Sequence, residues 1–453
     1  MKHVPKGFWI FSALLLLLLS VNVFAADKVL DASLLDREPV SLTEYLAVLE
    51  DPGSSLTLAD VQKPDMTNRF KGGHAPAMAL SYGFVRSAYW LRLTLRNTSN
   101  RPVERMLEID YPLLSSIQFH QPLVDGTYRS IKTGNTKPFA TRAHPNRNFV
   151  FAVTLPEHAD QVIYLRIQSG SSMIIPATLW EPQAFYVHAQ NDYALQTWYL
   201  GIASAMLLFN LLLLIALRDN IYLLYVGFVI CTVFTVLSGN GLAKEYLWPD
   251  SAAWAEIAVS ISYSLMITAL LLFMRRMLNT QELIPRTDRL LKIIVCIELL
   301  VPIGYTASLN AVVKPFTLYQ FAIGVLILFV SLFLWFVKRQ RNAVYFTVAF
   351  SFFLGGSYIV ALRIVNLAPT NLFTMNGLLF GSALEMLLLA FALADRFILI
   401  RRKAINDVEQ ANINLELRLY EREAELTATH ERLREIEQRQ MLSQERQRLM
   451  QDM

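Results

Sequence analysis

Seven apolar stretches, at about residues 193–217, 221–238, 257–274, 293–309, 316–337, 343–362 and 373–400, constrain this chain more than any other feature. Each is near the ~20 residues that an α-helix needs to cross the hydrocarbon of a bilayer. Composition agrees, because a mean hydropathy of +0.36 with 54% hydrophobic and only 17% charged residues lies outside the soluble globular range. The expected fold class is a multidomain membrane protein with a seven-helix transmembrane bundle.

Charge sets the expected orientation. Residues 1–25 open on Lys2, His3 and Lys6, continue through FWIFSALLLLLLSVNVF and end in small residues, which is the pattern of a signal peptide cut after Ala25. With the N-terminus outside, the inner loops hold Arg218; Arg275, Arg276, Arg286, Arg289 and Lys292; Lys338, Arg339 and Arg341; and Arg401, Arg402 and Lys403. The outer loops hold Lys244 and Lys314, as the positive-inside rule requires. This orients the chain with its N-terminal domain outside the membrane and its C-terminus cytoplasmic. The net charge of +4 is absorbed by these flanks, so no nucleic-acid partner is expected. Cys231 and Cys296 sit in separate spans, so neither a disulfide framework nor a thiolate metal site is expected.

Ahead of the spans, residues 27–188 read as β structure. In YWLRLTLRN, Tyr89, Leu91, Leu93 and Leu95 alternate with Trp90, Arg92, Thr94 and Arg96, the period of a half-buried strand. The alternation recurs at 105–111, 116–121, 148–155 and 161–168, which predicts an all-β jelly-roll sandwich. Such domains bind sugars or peptides on an exposed sheet face, where aromatic rings stack on sugars and Arg forks onto oxygens. Trp90, Arg92, Tyr128, Arg166 and Trp180 are the candidate ligand contacts; the alternative is that Trp90 and Trp180 are packing aromatics. His74, His120, His144 and His158 have no ligand spacing, and Asp110 and Asp125 lie in nothing like an EF-hand loop, so no metal or other cofactor is expected.

Within the spans, a retinal-type receptor would need a Schiff-base Lys, and residues 373–400 contain none. A transporter would show repeated halves or broken helices, and only Gly355-Gly356 hints at a break. Glu298, Arg363, Glu385 and Asp395 are ionisable residues at membrane depth, where polar groups default to a functional role. Glu385 is expected to face the bundle interior beside a partner such as Asn210. Arg363 and Asn376, at the outer ends of consecutive spans, are in reach of each other, and Asp395-Arg396 marks the inner edge. A structural polar lock and a switch both fit these residues.

Five stretches taken together resemble a known family: YWLRLTLRN, YLRIQSG with TLWEPQAF, GIASAMLLFNLLL, RDNIYLLYVGF with SGNGLAKEYLWP, and GSALEMLLLAFALADR. They resemble bacterial seven-transmembrane receptors with diverse intracellular signalling modules (7TMR-DISM), with the second type of extracellular domain of that family, across about residues 27–400. The resemblance implies a sensor in which a periplasmic small molecule or carbohydrate-like ligand alters the bundle and switches a cytoplasmic module or partner protein. Trp90, Arg92, Glu385, Asp395 and Arg396 fall in its recurring motifs.

Residues 401–453 follow as a cytoplasmic helix. Ile405, Asn412, Leu419, Leu426 and Leu433 recur every seven residues, with Val408, Leu415, Arg422, Thr429 and Ile436 three further on. This is an imperfect heptad seam, so a homodimeric coiled coil through 405–450 is expected, with Asn412 setting register. A single helix held by Glu and Arg pairs is the alternative. His430 lacks the continuation of a phosphoacceptor box. The final ERQRLMQDM resembles the lead-in to a histidine kinase acceptor helix, without its His-Asp pair or an ATP site. The chain is therefore expected to be no enzyme, with the sensor part of a truncated two-component kinase as the alternative.

Overall fold

The computed structural model describes residues 28–451 apart from 75–78, 124, 308, 365–366 and 370. The expected signal peptide lies outside the described residues. Two compact units divide the chain, one up to Leu389 and one from Ala390 onward.

The first unit begins with twelve strands: β1 (Val29–Asp31), β2 (Val40–Ser41), β3 (Leu46–Asp51), β4 (Leu80–Phe84), β5 (Ala88–Arg96), β6 (Val103–Ile109), β7 (Ser116–Pro122), β8 (Tyr128–Thr133), β9 (Phe149–Leu155), β10 (Asp160–Gln168), β11 (Ser172–Ile175) and β12 (Ala177–Trp180). All five stretches read from alternation are strands here. A six-stranded sheet runs β1-β5-β10-β7-β8 with β3 also on β5, a four-stranded sheet runs β2-β12-β6-β9, and β11 pairs with β4. Every pairing is antiparallel except β1 with β5.

Alternation decides which residues form the core. Leu91, Leu93 and Leu95 of β5 turn to one side with Ile163, Leu165 and Ile167 of β10 and Ile117 and Phe119 of β7. They meet Leu107, Phe149, Phe151, Val153 and Leu179 of the other sheet, and Phe119 stacks on Phe151 with ring centroids 4.4 Å apart. The sheets thus pack face to face, and their buried side chains supply the hydrophobic driving force.

Part of the opposite face of the six-stranded sheet is covered as well. Two short helical turns, Leu58–Val61 and Pro64–Thr67, follow β3, and Val61 and Phe70 pack over Ala47, Leu49, Trp90 and Tyr164. Thr57 caps the first turn reciprocally with Asp60, and Pro64 opens the second, which holds this short cover in place.

Among the described residues, seven helices long and apolar enough to cross a membrane follow: α1 (Pro182–Leu217), α2 (Asn220–Gly239), α3 (Ala252–Met277), α4 (Pro285–Ala307), α5 (Leu309–Phe336), α6 (Arg341–Ile364) and α7 (Gly377–Gln451). The chain is a multi-pass membrane protein. Helix α1 starts immediately after β12, because Pro182 supplies a preset helical φ at the first position and the Glu181 carboxylate accepts from the Ala184 N–H at 2.9 Å. The expected end of the β region at residue 188 therefore falls inside α1. With 36 residues α1 is about 54 Å long, more than the ~30 Å of hydrocarbon, so part of it stands clear of the membrane.

Gly355-Gly356 do not break α6, which runs unbroken through them. A Cβ on Gly356 would stand 2.1 Å from the Gly377 carbonyl oxygen, and one on Gly381 would stand 2.6 Å from that of Phe352. The glycines thus let α6 and the start of α7 approach backbone to backbone. In the second unit, residues 401–446 are helical and exposed, including the seam positions Leu419, Leu426 and Leu433.

Candidate functional site

The β domain and the helices up to Leu389 meet through a buried polar junction, and its centre is Arg147. A loop from Arg142 to Asn148 carries it, folded around the Arg142 guanidinium, which donates to the carbonyls of Asn146 (2.6 Å), Arg147 and Asn148 (3.0 Å). Phe139 and Phe149 flank that guanidinium at 4.8 and 4.4 Å from their ring centroids. Burial pulls Arg142 down to about 10, still far above neutrality, so it remains a fixed charge organising the loop.

Held in this way, Arg147 reaches across to the helices. Its guanidinium grips Asp192 of α1 in a two-point pair, with one contact at 2.6 Å, and donates to the Asn240 carbonyl beyond α2 at 3.1 Å. Its backbone N–H donates to the Tyr193 hydroxyl at 2.8 Å, and that hydroxyl donates to Glu245 at 2.7 Å. Burial opposes the charge on Arg147, but the bonds from Asp192 and the nearby Asp110 outweigh it and hold the guanidinium above its ordinary value. Gly241 completes the contact: φ is +81°, and a Cβ there would stand 2.6 Å from Pro112 and 2.9 Å from the Arg147 carbonyl oxygen.

Beside this pair, Asn148 donates both amide hydrogens to carboxylates of the four-stranded sheet side, Glu108 at 3.0 Å and Asp110 at 2.7 Å. Burial, then the neighbouring charge of Asp110, pushes Glu108 up to about 8, against the pull of Asn148 and Arg147. His188 of α1 lies 3.6 Å from Glu108 and stacks on Trp180 at 4.3 Å. Further contacts tie the two parts: Asn135 donates to the Ala255 carbonyl at 3.0 Å, and Ser115 donates to Glu256 at 3.1 Å. The arrangement ties α1 and α3 to the β domain through hydrogen bonds and an ion pair. Among the described residues, no group of three or more His, Cys, Asp or Glu is placed to hold a metal.

The residues expected to contact ligand are differently placed. Trp90, Arg92, Tyr128 and Arg166 share one face of the six-stranded sheet, with Trp90 opposite Arg166 in register. That face is covered in part, with Arg92, Tyr128 and Arg166 half-buried and Ser130 and Lys132 exposed on it. Trp90 is 1% accessible, Arg92 lies over the Phe70 ring at 4.7 Å and donates to the Thr67 carbonyl, and Arg166 donates to the Ser54 carbonyl at 2.9 Å. Tyr128 donates to the Val162 carbonyl at 3.3 Å. Trp180 belongs to the other sheet, opposite Met106, so the five residues do not converge.

The intramembrane residues divide similarly. Asn210 donates to the Met206 carbonyl within its own helix, and neither oxygen of Glu385 has a hydrogen-bond partner among the described residues, so the expected bond between them does not form. Glu298 accepts from Ser264 and from Gln320, the latter at 3.2 Å. Arg363 and Asn376 are buried and line one cavity, and Asn376 accepts from Gln196 at 3.4 Å. Asp395 is half-buried, and the Arg396 side chain lies outside the described residues. Sequence reasoning missed Arg147, Asn148, Asp192 and Gly241. In AHPNRNF the polar run reads as a turn, and nothing local marks its Arg as buried.

Two family models match the chain. One, described as 7TM diverse intracellular signalling, covers residues 192–396, and the other, 7TMR-DISM extracellular 2, covers residues 43–181. No curated protein matches it.

Proposed function

We propose that this chain, which belongs to the family of seven-transmembrane receptors with diverse intracellular signalling and carries its second type of extracellular domain, detects a periplasmic ligand and passes the signal through the Arg147 junction. It is a transmembrane sensory receptor, and no enzymatic family is indicated. The finer reading has a jelly-roll domain in the periplasm, the spans in the bacterial inner membrane, and a cytoplasmic coiled-coil dimer that switches a signalling module. The observation that carries it is the absence of a linker: β12 ends at Trp180 and α1 begins at Pro182, with Arg147 clamped to Asp192 about three turns into α1. A shift of the four-stranded sheet must then move α1, and a ligand that prefers one arrangement shifts the population toward it.

Ligand class is tested by thermal shift of the full chain in nanodiscs against sugars, amino acids and calcium. Stabilisation by one class identifies it, and no response from any of them removes the support for a small-molecule or carbohydrate ligand. For the output, the coding DNA after the Met453 codon is decisive. In-frame continuation into a His-Asp pair and a nucleotide-binding domain would make this the sensor part of a kinase.

A further inference from the structure

The first unit contains a cavity of ≈ 330 Å³ between the β domain and the helices, and its two ends differ in chemistry. At the β-domain end stand Tyr111, Arg363 and Asn376; at the far end stand Leu270, Ile327 and Phe350. From Phe350 to Arg363 is 13 residues of α6, or about 20 Å along the helix, so the cavity is long as well as apolar at depth. Its volume falls at the lower end of the range of small-molecule sites, which suits one acyl chain.

Arg363 decides what the polar end takes. Its side chain is 7% accessible, its Nε has no hydrogen-bond partner, and no described residue accepts a hydrogen bond from its guanidinium. The other guanidinium on the wall, that of Arg147, is committed to Asp192 and Asn240. Of the carboxylates on the wall, Asp110 accepts from Asn148 and Glu256 from Ser115, and the Asp110 charge also acts on Arg363 with no hydrogen bond between the two. The charge of these carboxylates disfavours a doubly charged phosphate beside them, whereas one planar carboxylate matches the fork of a guanidinium. A buried cation without a bonded counter-ion above an apolar channel is complementary to an amphiphile.

We propose that this cavity binds a single-chain amphiphile with a carboxylate head, its head on Arg363 and its chain running toward Phe350. The cavity borders the Arg147 junction, since Arg147, Asp110 and Asn240 stand on its wall, and the proposal rests on Arg363 and the apolar channel rather than on the signalling route.

The test uses the full chain in phosphatidylcholine nanodiscs and a dodecanoic acid carrying a diazirine near its tail. Saturable photolabelling is expected on α3, α5 or α6 peptides that line the cavity, competed by dodecanoic acid and about tenfold less well by its methyl ester, which lacks the charge-assisted bonds. Arg363→Gln should weaken labelling about tenfold, Arg363→Lys should retain most of it, and Ser357→Phe, which fills the channel without touching the charge, should abolish it. Each variant is compared at equal thermal stability, and Ser357→Phe still decides the matter if Arg363→Gln fails to fold. Labelling that is unchanged in both variants, or confined to lipid-facing residues, overturns the proposal. So does competition by phosphatidylglycerol discs but not by the free acid, because the occupant would then be a membrane lipid.

Discussion

Arg147 is 5% accessible and its partner Asp192 lies 45 residues away, so removing one member leaves a charge buried without compensation. Arg147→Ala is expected to destabilise the first unit by about 3–5 kcal/mol in thermal or denaturant unfolding, the usual cost of halving a buried pair. Adding Asp192→Ala should cost clearly less than the sum of the two single changes. Glu108 sets a pH dependence at the same junction. Its pKa rises from an ordinary 4.5 to about 8 on folding, first through burial and then through Asp110, so the native state binds more protons than the unfolded state between those values. The contribution of Glu108 is therefore present below pH 4.5 and is lost as pH rises through 8. The melting temperature of the wild type should fall across that window more steeply than that of Glu108→Gln; parallel curves would refute this assignment.

At the scale of elements, two joints carry the argument. The first is the close crossing of α6 and α7, where the carbonyl of Gly377 leaves no room for a Cβ on Gly356. Gly356→Ala should cost about 1–3 kcal/mol through forced separation of the helices, whereas Gly355→Ala, with open space around its Cβ, should be nearly neutral. Equal effects of the two, read by thermal unfolding in nanodiscs, would show that glycine serves helix flexibility there rather than proximity. The second joint is the passage from β12 to α1. Inserting Gly-Ser-Gly-Ser after Glu181 should leave ligand-induced stabilisation intact while abolishing a change in α1 position measured by spin-label distances, since slack replaces a rigid connection. A retained distance change would move the coupling to the loop contacts of Asn135 and Ser115.

At the scale of the whole molecule, Leu419, Leu426 and Leu433 on α7 are exposed at the positions of the proposed dimer seam. In a background without the free Cys231 and Cys296, Leu419→Cys and Leu426→Cys should crosslink between two copies in native membranes, and Tyr420→Cys, off the seam, should do so much less. Crosslinking that is equal at all three positions would favour a lone helix.

Much of the architecture was legible before the fold was known. The alternation in YWLRLTLRN yields β5 with its leucines inward, and seven apolar runs yield seven helices. The reading of the candidate site went less far. Trp90 and Arg166 do share a sheet face, but Val61 and Phe70 pack over Trp90, and that cover comes from a polar, proline-containing stretch that reads as a loop. Hydropathy over ~20 residues and alternation over two are local quantities, so the sequence by itself determined the spans, the β character ahead of them and the long charged helix after them. Tertiary structure alone decided that Arg147 is buried against Asp192, that Asn135 reaches Ala255 and Gln196 reaches Asn376, and that Arg363 opens on a cavity. Those partners stand 45 to 180 residues apart in the chain, and no local pattern encodes which distant group will share a buried charge or a hydrogen bond.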